Sequence, residues 1–225
     1  MIKAENISKT FNGQGAPTKA LVNVSLTVEE GEFVSVVGRS GSGKTTLLHI
    51  LSTLQKPDSG SLVYNNADIV RVEEGKLNTI RHKDFAVIFQ FHHLLPYLTV
   101  LENALLPFMN GLRPVPRQRV EEARQCLERV GLGGKWNRLP SMLSGGEQQR
   151  AAIARALVKK ARCLFADEPT GSLDKATGEE ILRLLKDLNK DGLAVVMVTH
   201  DPQYAAYADT VVEMEDGAIK SIARQ

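Results

Sequence analysis

The run Gly38-Arg39-Ser40-Gly41-Ser42-Gly43-Lys44-Thr45 constrains the fold more than any other stretch of this chain. It fits GxxxxGK[ST] and follows Phe33-Val34-Ser35-Val36-Val37, an almost wholly apolar run that reads as a central strand. From Lys44 to Leu54 the residues Leu47, Ile50, Leu51 and Leu54 recur at helical spacing. Strand, glycine loop and helix in that order make an anion cradle. Glycines let successive backbone N–H groups curl around phosphate oxygens, and the helix behind them aims its positive end at the same place. Lys44 is then in reach of β- and γ-phosphates, and the Thr45 hydroxyl can ligate Mg²⁺.

The rest of the chain alternates strand and helix patterns. Val22, Val24, Leu26 and Val28 alternate with polar residues as in a half-buried strand. Buried strands are expected at Phe85 to Phe89, Cys163 to Ala166 and Ala194 to Val198, with a helix around Thr177 to Asn189. Asp201-Pro202 can cap and start another helix, and Asp216-Gly217 between Thr210–Met214 and Ala218–Ile222 signals a hairpin. Residues 91 to 160 read as mostly helical, with a break at Pro114 and Pro116. There Val120, Ala123, Leu127 and Val130 share one helix face, and Gly131 sits at a helix end. Alternation of this kind predicts an α/β sheet core with a helical insertion.

Two further motifs carry chemistry. The strand Cys163-Leu164-Phe165-Ala166 ends in Asp167-Glu168, adjacent acids that point differently and so can take different tasks. Asp167 is expected to serve Mg²⁺ and Glu168 to polarise an attacking water as general base. Leu143-Ser144-Gly145-Gly146-Glu147-Gln148-Gln149-Arg150 precedes the helical run Ala151 to Val158. Ser144 and Glu147 form a capping box, and the two glycines leave backbone N–H groups open to an anion.

Taken with the phosphate loop and the acid pair, this stretch resembles the signature of ABC-type ATPases, and the resemblance covers the whole chain. It implies a phosphate-loop NTPase core of mostly parallel sheet at about 1–90 and 160–225, an N-terminal antiparallel β part, and a helical signature subdomain at about 91–159. It assigns ATP contacts to the loop residues from Gly38 to Thr45 and to Thr46, with Phe11 stacking on adenine where tyrosine is common in the family. Gln90 resembles the glutamine that senses Mg²⁺, water and the membrane partner. Ser172-Leu173-Asp174 resembles the D-loop, and His200 the switch histidine at the γ-phosphate. Mg²⁺ would be held by Thr45, Gln90 and Asp167. Residue 147 is a departure, since many members carry glutamine where this chain has Glu147. Family members pair head to tail, so a homodimer is implied in which the signature residues Ser144, Gly145, Gly146 and Glu147 face ATP held by the other copy. Phe91-His92-His93-Leu94-Leu95-Pro96 is similar to the lipoprotein-releasing and macrolide-exporting group. This implies integral membrane permease subunits as partners, and a peripheral place on the cytoplasmic face of the inner membrane.

The composition agrees with these expectations. The 225 residues are 43% hydrophobic and 24% charged, with 28 basic against 26 acidic side chains, so nothing electrostatic points to nucleic acid. The two cysteines, Cys126 and Cys163, lack metal-ligand spacing. The first residues lack a signal-peptide pattern and no apolar run is long enough to span a bilayer, so a soluble cytoplasmic chain is expected. His92 and His93 are expected at the surface or at a partner, and Trp136 as a packing residue. The apolar side chains Phe91, Leu94, Leu95, Leu98, Leu101, Leu105 and Leu106 are more than one helix needs for its own core. They predict a docking face over residues 90–108. Two other functions fit the sequence less well. Soluble ABC ATPases of DNA repair or translation carry coiled-coil inserts or fused cassettes, which are absent from this sequence. Asn189-Lys190-Asp191-Gly192 has its aspartate one place early for a guanine-reading motif and reads as a helix-ending turn.

Overall fold

Three five-residue runs with few polar side chains, Phe33–Val37, Cys163–Asp167 and Ala194–Val198, lie side by side at the centre of a six-stranded sheet. The structure, a computed structural model, describes residues 1–12, 16–109, 111 and 113–225. In chain order the elements are β1 (Ile2–Phe11), β2 (Thr18–Val28), β3 (Phe33–Val37), α1 (Lys44–Leu51), β4 (Ser59–Tyr64), β5 (Ala67–Asp68), α2 (Glu74–Lys83) and β6 (Phe85–Ile88). Then follow α3 (Val100–Leu105), α4 (Arg117–Arg129), α5 (Gly145–Val158), β7 (Cys163–Asp167), α6 (Lys175–Lys190), β8 (Ala194–Val198), α7 (Pro202–Ala205), β9 (Thr210–Glu215) and β10 (Ala218–Arg224).

The large sheet runs β10-β9-β3-β8-β7-β6, parallel throughout except for the β9–β10 hairpin. A second, antiparallel sheet of order β2-β1-β4-β5 lies over it. This is the α/β class with an antiparallel N-terminal part that the sequence implies. Successive residues of the central strands face opposite cores, as the strand period of two requires. Leu164, Ala166, Val195 and Met197 join α3, α4, α5 and α6 in one core. Phe165, Val196 and Val198 join α1 and the antiparallel sheet in the other. All five parallel strands, β3, β6, β7, β8 and β9, therefore end at one edge. In open α/β sheets, ligands bind at such an edge.

Two expectations are corrected. Val22 is exposed and Leu21 takes its inward place, because Val22 and Asn23 both oppose Ser8 in a β-bulge between the pairs Ile7–Val24 and Lys9–Leu21. Asn23 stands at φ 50° and its N–H and side chain both bond the Ser8 hydroxyl. The first helix stops at Leu51, short of Leu54. Thr53 turns the chain out at φ 62°, leaving Leu54 in solvent, while Leu48 joins Leu47, Ile50 and Leu51 in the core.

Candidate functional site

The glycine loop joins β3 to α1 and owes its path to residues without side chains. Gly43 sits at φ 96°, and a Cβ there would lie 2.3 Å from the Ala20 carbonyl oxygen. Gly38 at φ 153° would likewise meet the Met214 carbonyl at 2.3 Å. The N-cap of α1 is Gly43 itself, so no side chain caps the first N–H groups of the helix, and no acidic residue stands in its first turn. Lys44 opens the helix and is buried. Its ammonium donates to the carbonyls of Gly38 and Arg39, each at 2.8 Å. Burial pushes the Lys44 pKa down, while the charges of Glu168 and Asp167 pull it back up.

The strands deliver the other groups to the same edge. Thr45 donates its hydroxyl to Asp167 Oδ1 at 3.1 Å. Glu168 follows at the end of β7 in a left-handed conformation, φ 48°, held by its N–H to the Val198 carbonyl. A non-glycine residue in that region is held against strain, which clusters at functional sites. The Glu168 carboxylate is largely buried and lies 2.9 Å from Nδ1 of the exposed His200, just past β8. Together Ser40, Gly41, Gly43, Lys44, Thr45, Thr46, Glu168 and His200 line a cleft of ≈ 350 Å³, and Thr18 and Ala20 complete its wall. The sequence did not single out Thr18 and Ala20. The one local signal was the glycine requirement, whose cause is the Ala20 backbone.

Other expected site residues lie elsewhere. Gln90 does not line the cleft. Its amide packs against Gly171, where an added Cβ would stand 3.0 Å from Nε2, and its carbonyl accepts from the Ser172 hydroxyl at 3.3 Å. Asp174 caps α6, accepting from the Thr177 N–H at 3.0 Å and from the Thr177 hydroxyl at 2.6 Å. Phe11 is exposed, with the Lys9 ammonium 6.0 Å from its ring, and pairs with the cleft residue Thr18. Ser144 and Gly146 do not line the cleft of their own chain. Ser144 is exposed at the N-terminus of α5, while Gly146 is buried against α6, where a Cβ would come within 2.3 Å of Thr177 Cγ2. Leu173 packs on Gly145 in the same way, at 3.2 Å from the Cβ position.

Glu147 has a clear task despite departing from the family pattern. It completes the capping box with Ser144, accepting from the Ser144 N–H at 2.8 Å, and it ion-pairs with Lys135. The Lys135 hydrogen bond foremost, then the Ser144 N–H, takes its carboxyl from the ordinary 4.5 down to about 2. A lowered carboxyl pKa adds stability that is full above the unfolded value and is lost as pH falls through the folded one. The excess stability of the wild type over Glu147→Gln is therefore expected to shrink as pH falls from 4.5 to about 2. Urea unfolding of both proteins across that window checks this, and a pH-independent difference refutes it.

His92 departs from its expected surface place. It is half-buried against α5 with Nδ1 2.5 Å from Gln149 Oε1, and burial lowers its pKa. His93 is exposed, its ring tilted on Phe89 at 4.8 Å between centroids. Trp136 packs against the helical core as expected, with the Arg124 guanidinium 5.7 Å from its ring.

Residues 21–171 match the family described as ABC transporter. The chain is 43% identical over 225 residues to a lipoprotein-releasing system ATP-binding protein LolD of Shewanella sp. (strain MR-4), covering 99% of this chain and 96% of that protein. It is also 43% identical over 219 residues to a macrolide export ATP-binding/permease protein MacB of Paracoccus denitrificans (strain Pd 1222), covering 97% of this chain and 33% of that protein. Among solved structures, a dimeric ATP-binding cassette in a post-hydrolysis state with ADP and Pi shares 40% identity and a TM-score of 0.90, over 100% of this chain and 98% of that one. The matched stretch contains the glycine loop, the signature and both acids, and the likeness extends to both ends of the fold: the chain belongs to the ABC transporter family, as one of its ATP-binding subunits.

Proposed function

We propose that the chain binds and hydrolyses Mg-ATP at a head-to-tail homodimer interface, as one unit with its core at about 1–90 and 160–225 and its signature helices at about 91–159, and that it drives membrane permease subunits in lipoprotein release. The observation that carries this reading is the meeting of Lys44, Thr45, Asp167, Glu168 and His200 at one sheet edge. The loop N–H groups and Lys44 hold the triphosphate. Glu168 takes the proton of the attacking water, and His200, bonded to Glu168, stands at the γ-phosphate. Ser144, Gly145 and Gly146, which do not line their own cleft, close on ATP bound by the second copy, and the D-loop residues Ser172, Leu173 and Asp174 meet the signature through Leu173 against Gly145. Phe11 covers the adenine.

Thr45 and Asp167 present hard oxygen donors in mutual contact that suit Mg²⁺; Gln90, whose amide packs against Gly171, would add its oxygen only by moving toward them. When bound, the ion neutralises charge on the β- and γ-phosphates. Among the described residues no cluster of three or more His, Cys, Asp or Glu side chains forms, so phosphate and water would supply the other ligands.

No helix among the described residues is long and apolar enough to cross a membrane. The docking face is narrower than the sequence implied. Leu105 is buried and Leu94 and Leu101 pack on the core, whereas Phe91, Leu95 and Tyr97 are 71%, 47% and 91% exposed. Phe91→Asp and Leu95→Asp are expected to bind ATP normally yet fail to co-purify with the permease from solubilised membranes. Retained co-purification places docking elsewhere. Mass spectrometry of the subunits that wild type retains separates lipoprotein release from the second reading, macrolide or peptide export, which the equal identity to the macrolide exporter supports.

A further inference from the structure

The loop that carries Phe91, Leu95 and Tyr97 is fastened from behind by two helices. Asn103 of α3, fully buried, accepts from the Leu95 N–H at 2.7 Å and donates to the carbonyls of Leu95, Leu98 and Thr99. From α5, Arg155 donates to the carbonyls of His93 and His92 at 2.8 and 3.1 Å. His93 is held at φ 47°, a conformation that persists only where surrounding contacts enforce it. Between these backbone anchors one side chain–side chain hydrogen bond among the described residues joins the loop to α5, His92 Nδ1 to Gln149 Oε1 at 2.5 Å.

That pair is poised rather than fully satisfied. Gln149 is 0% exposed, yet its Nε2 finds no hydrogen-bond partner among the described residues. Turning the amide over would leave its oxygen unpaired instead. A buried amide with one idle end is costly to hold, so small movements of α5 or the loop change its hydrogen bonding appreciably. Gln149 also stands on the helix whose first turn carries Ser144, Gly145 and Gly146.

We propose that His92 is a positioning residue: its bond to Gln149 transmits the seating of the exposed loop at Phe91, Leu95 and Tyr97 to α5, and so sets how Ser144 and Gly146 meet ATP on the second copy. This rests on the transport-motor reading above. His92 does not line the cleft, so it acts on ATP through Gln149. Burial lowers the His92 pKa, and with Gln149 Oε1 facing it Nδ1 must carry the hydrogen that the amide oxygen accepts. Asparagine can place an N–H where Nδ1 stands, and alanine cannot.

The test uses the purified complex of this chain with its permease in lipid vesicles, together with the chain alone. Steady-state ATP hydrolysis is measured for wild type, His92→Ala, His92→Asn and Gln149→Met. For His92→Ala, the chain alone should hydrolyse ATP at the wild-type rate with unchanged KM while stimulation by the permease falls about fivefold or more; Gln149→Met, which lies in the signature stretch, should lose stimulation by a clearly larger factor than it loses basal rate. His92→Asn should recover most of the stimulation. The double variant His92→Ala/Gln149→Met should be no worse than either single one, since both break the same bond. Wild-type stimulation in His92→Ala, a parallel loss of basal rate, or no recovery in His92→Asn overturns the proposal. Absence of stimulation in the wild type overturns the motor reading itself. Thermal unfolding identifies any variant that is simply misfolded; Gln149→Met nearly conserves volume and decides the matter if His92→Ala does not fold.

Discussion

Glu168→Gln is expected to lower ATP turnover by about 10²- to 10⁴-fold, the range general-base catalysis contributes. The amide cannot accept the proton of the attacking water, but it preserves nearly everything else. The Glu168 backbone, fixed at φ 48° by its N–H to Val198, does not depend on side-chain charge. The side-chain oxygen can still accept from His200 Nδ1, so the histidine stays in place. Removing one negative charge from the cleft also favours retention of the triphosphate. ATP that is bound but not cleaved should then bridge two copies, each copy's Ser144 and Gly146 closing on the other's nucleotide. A ligand that binds only the pair drives association by mass action. On size exclusion the variant is expected to run as a monomer without nucleotide or with ADP, and as a dimer with ATP. A variant that turns over ATP at the wild-type rate and stays monomeric at saturating ATP contradicts both the base role and the shared site.

The parts of the fold legible in the sequence are those whose physics is local. The central strands announce themselves because burial on both faces removes polar residues from them, as in Val195 to Val198. Ser144 and Glu147 read as a capping box, and the structure contains one, because both partners lie within a single helical turn. Asp216-Gly217 likewise forms a two-residue turn at φ 47° and 78°, the positive angles a tight hairpin needs. What escaped depends on distant pairing or on weak periodicity. β1 is interrupted where Asn6 takes φ 52°, so its alternation breaks in the middle. α2 buries only Leu77, too little for a helical stripe. The bulge that exposes Val22 is fixed by Ser8 on another strand and has no signature near Val22.

The same division holds at the candidate site. The residue types that meet there follow from short motifs, but their geometry does not. Nothing near Glu168 in sequence predicts its left-handed backbone, which arises because its N–H reaches the carbonyl of Val198 on the neighbouring strand. Nothing near Gly43 says that Ala20 stands against it. The expectation most changed was that residues 90–108 expose a surplus of apolar side chains. Leu94, Leu101 and Leu105 read as surplus apolar residues only because α4 and α5, which they pack against, are distant in the chain.

Lys44→Ala is expected to abolish measurable ATP turnover and to weaken ATP binding by about ten- to hundredfold, as loss of a charge-assisted hydrogen bond of about 1.5–3 kcal/mol implies. Two losses coincide. The first is direct, because the loop otherwise meets the phosphates with backbone dipoles and Lys44 supplies the full positive charge. The second acts before any ligand arrives. The ammonium donates to the Gly38 and Arg39 carbonyls, so it closes the loop on itself as well as facing the cleft. Alanine leaves both oxygens without that donor and empties a buried position. Thermal unfolding separates the two. The nucleotide-free variant should unfold somewhat below the wild type, reporting the loop contacts. Its stabilisation by ATP, which grows as RT ln(1 + [L]/Kd), should fall by about 1–3 kcal/mol at ATP concentrations that saturate the wild type. Lys44→Arg sharpens the reading. It keeps the charge in a planar fork too large for the same two carbonyls, so it should recover only part of the binding and little of the turnover. Near-normal hydrolysis by Lys44→Ala removes the glycine loop from the ATP site, and with it the reading of the whole sheet edge.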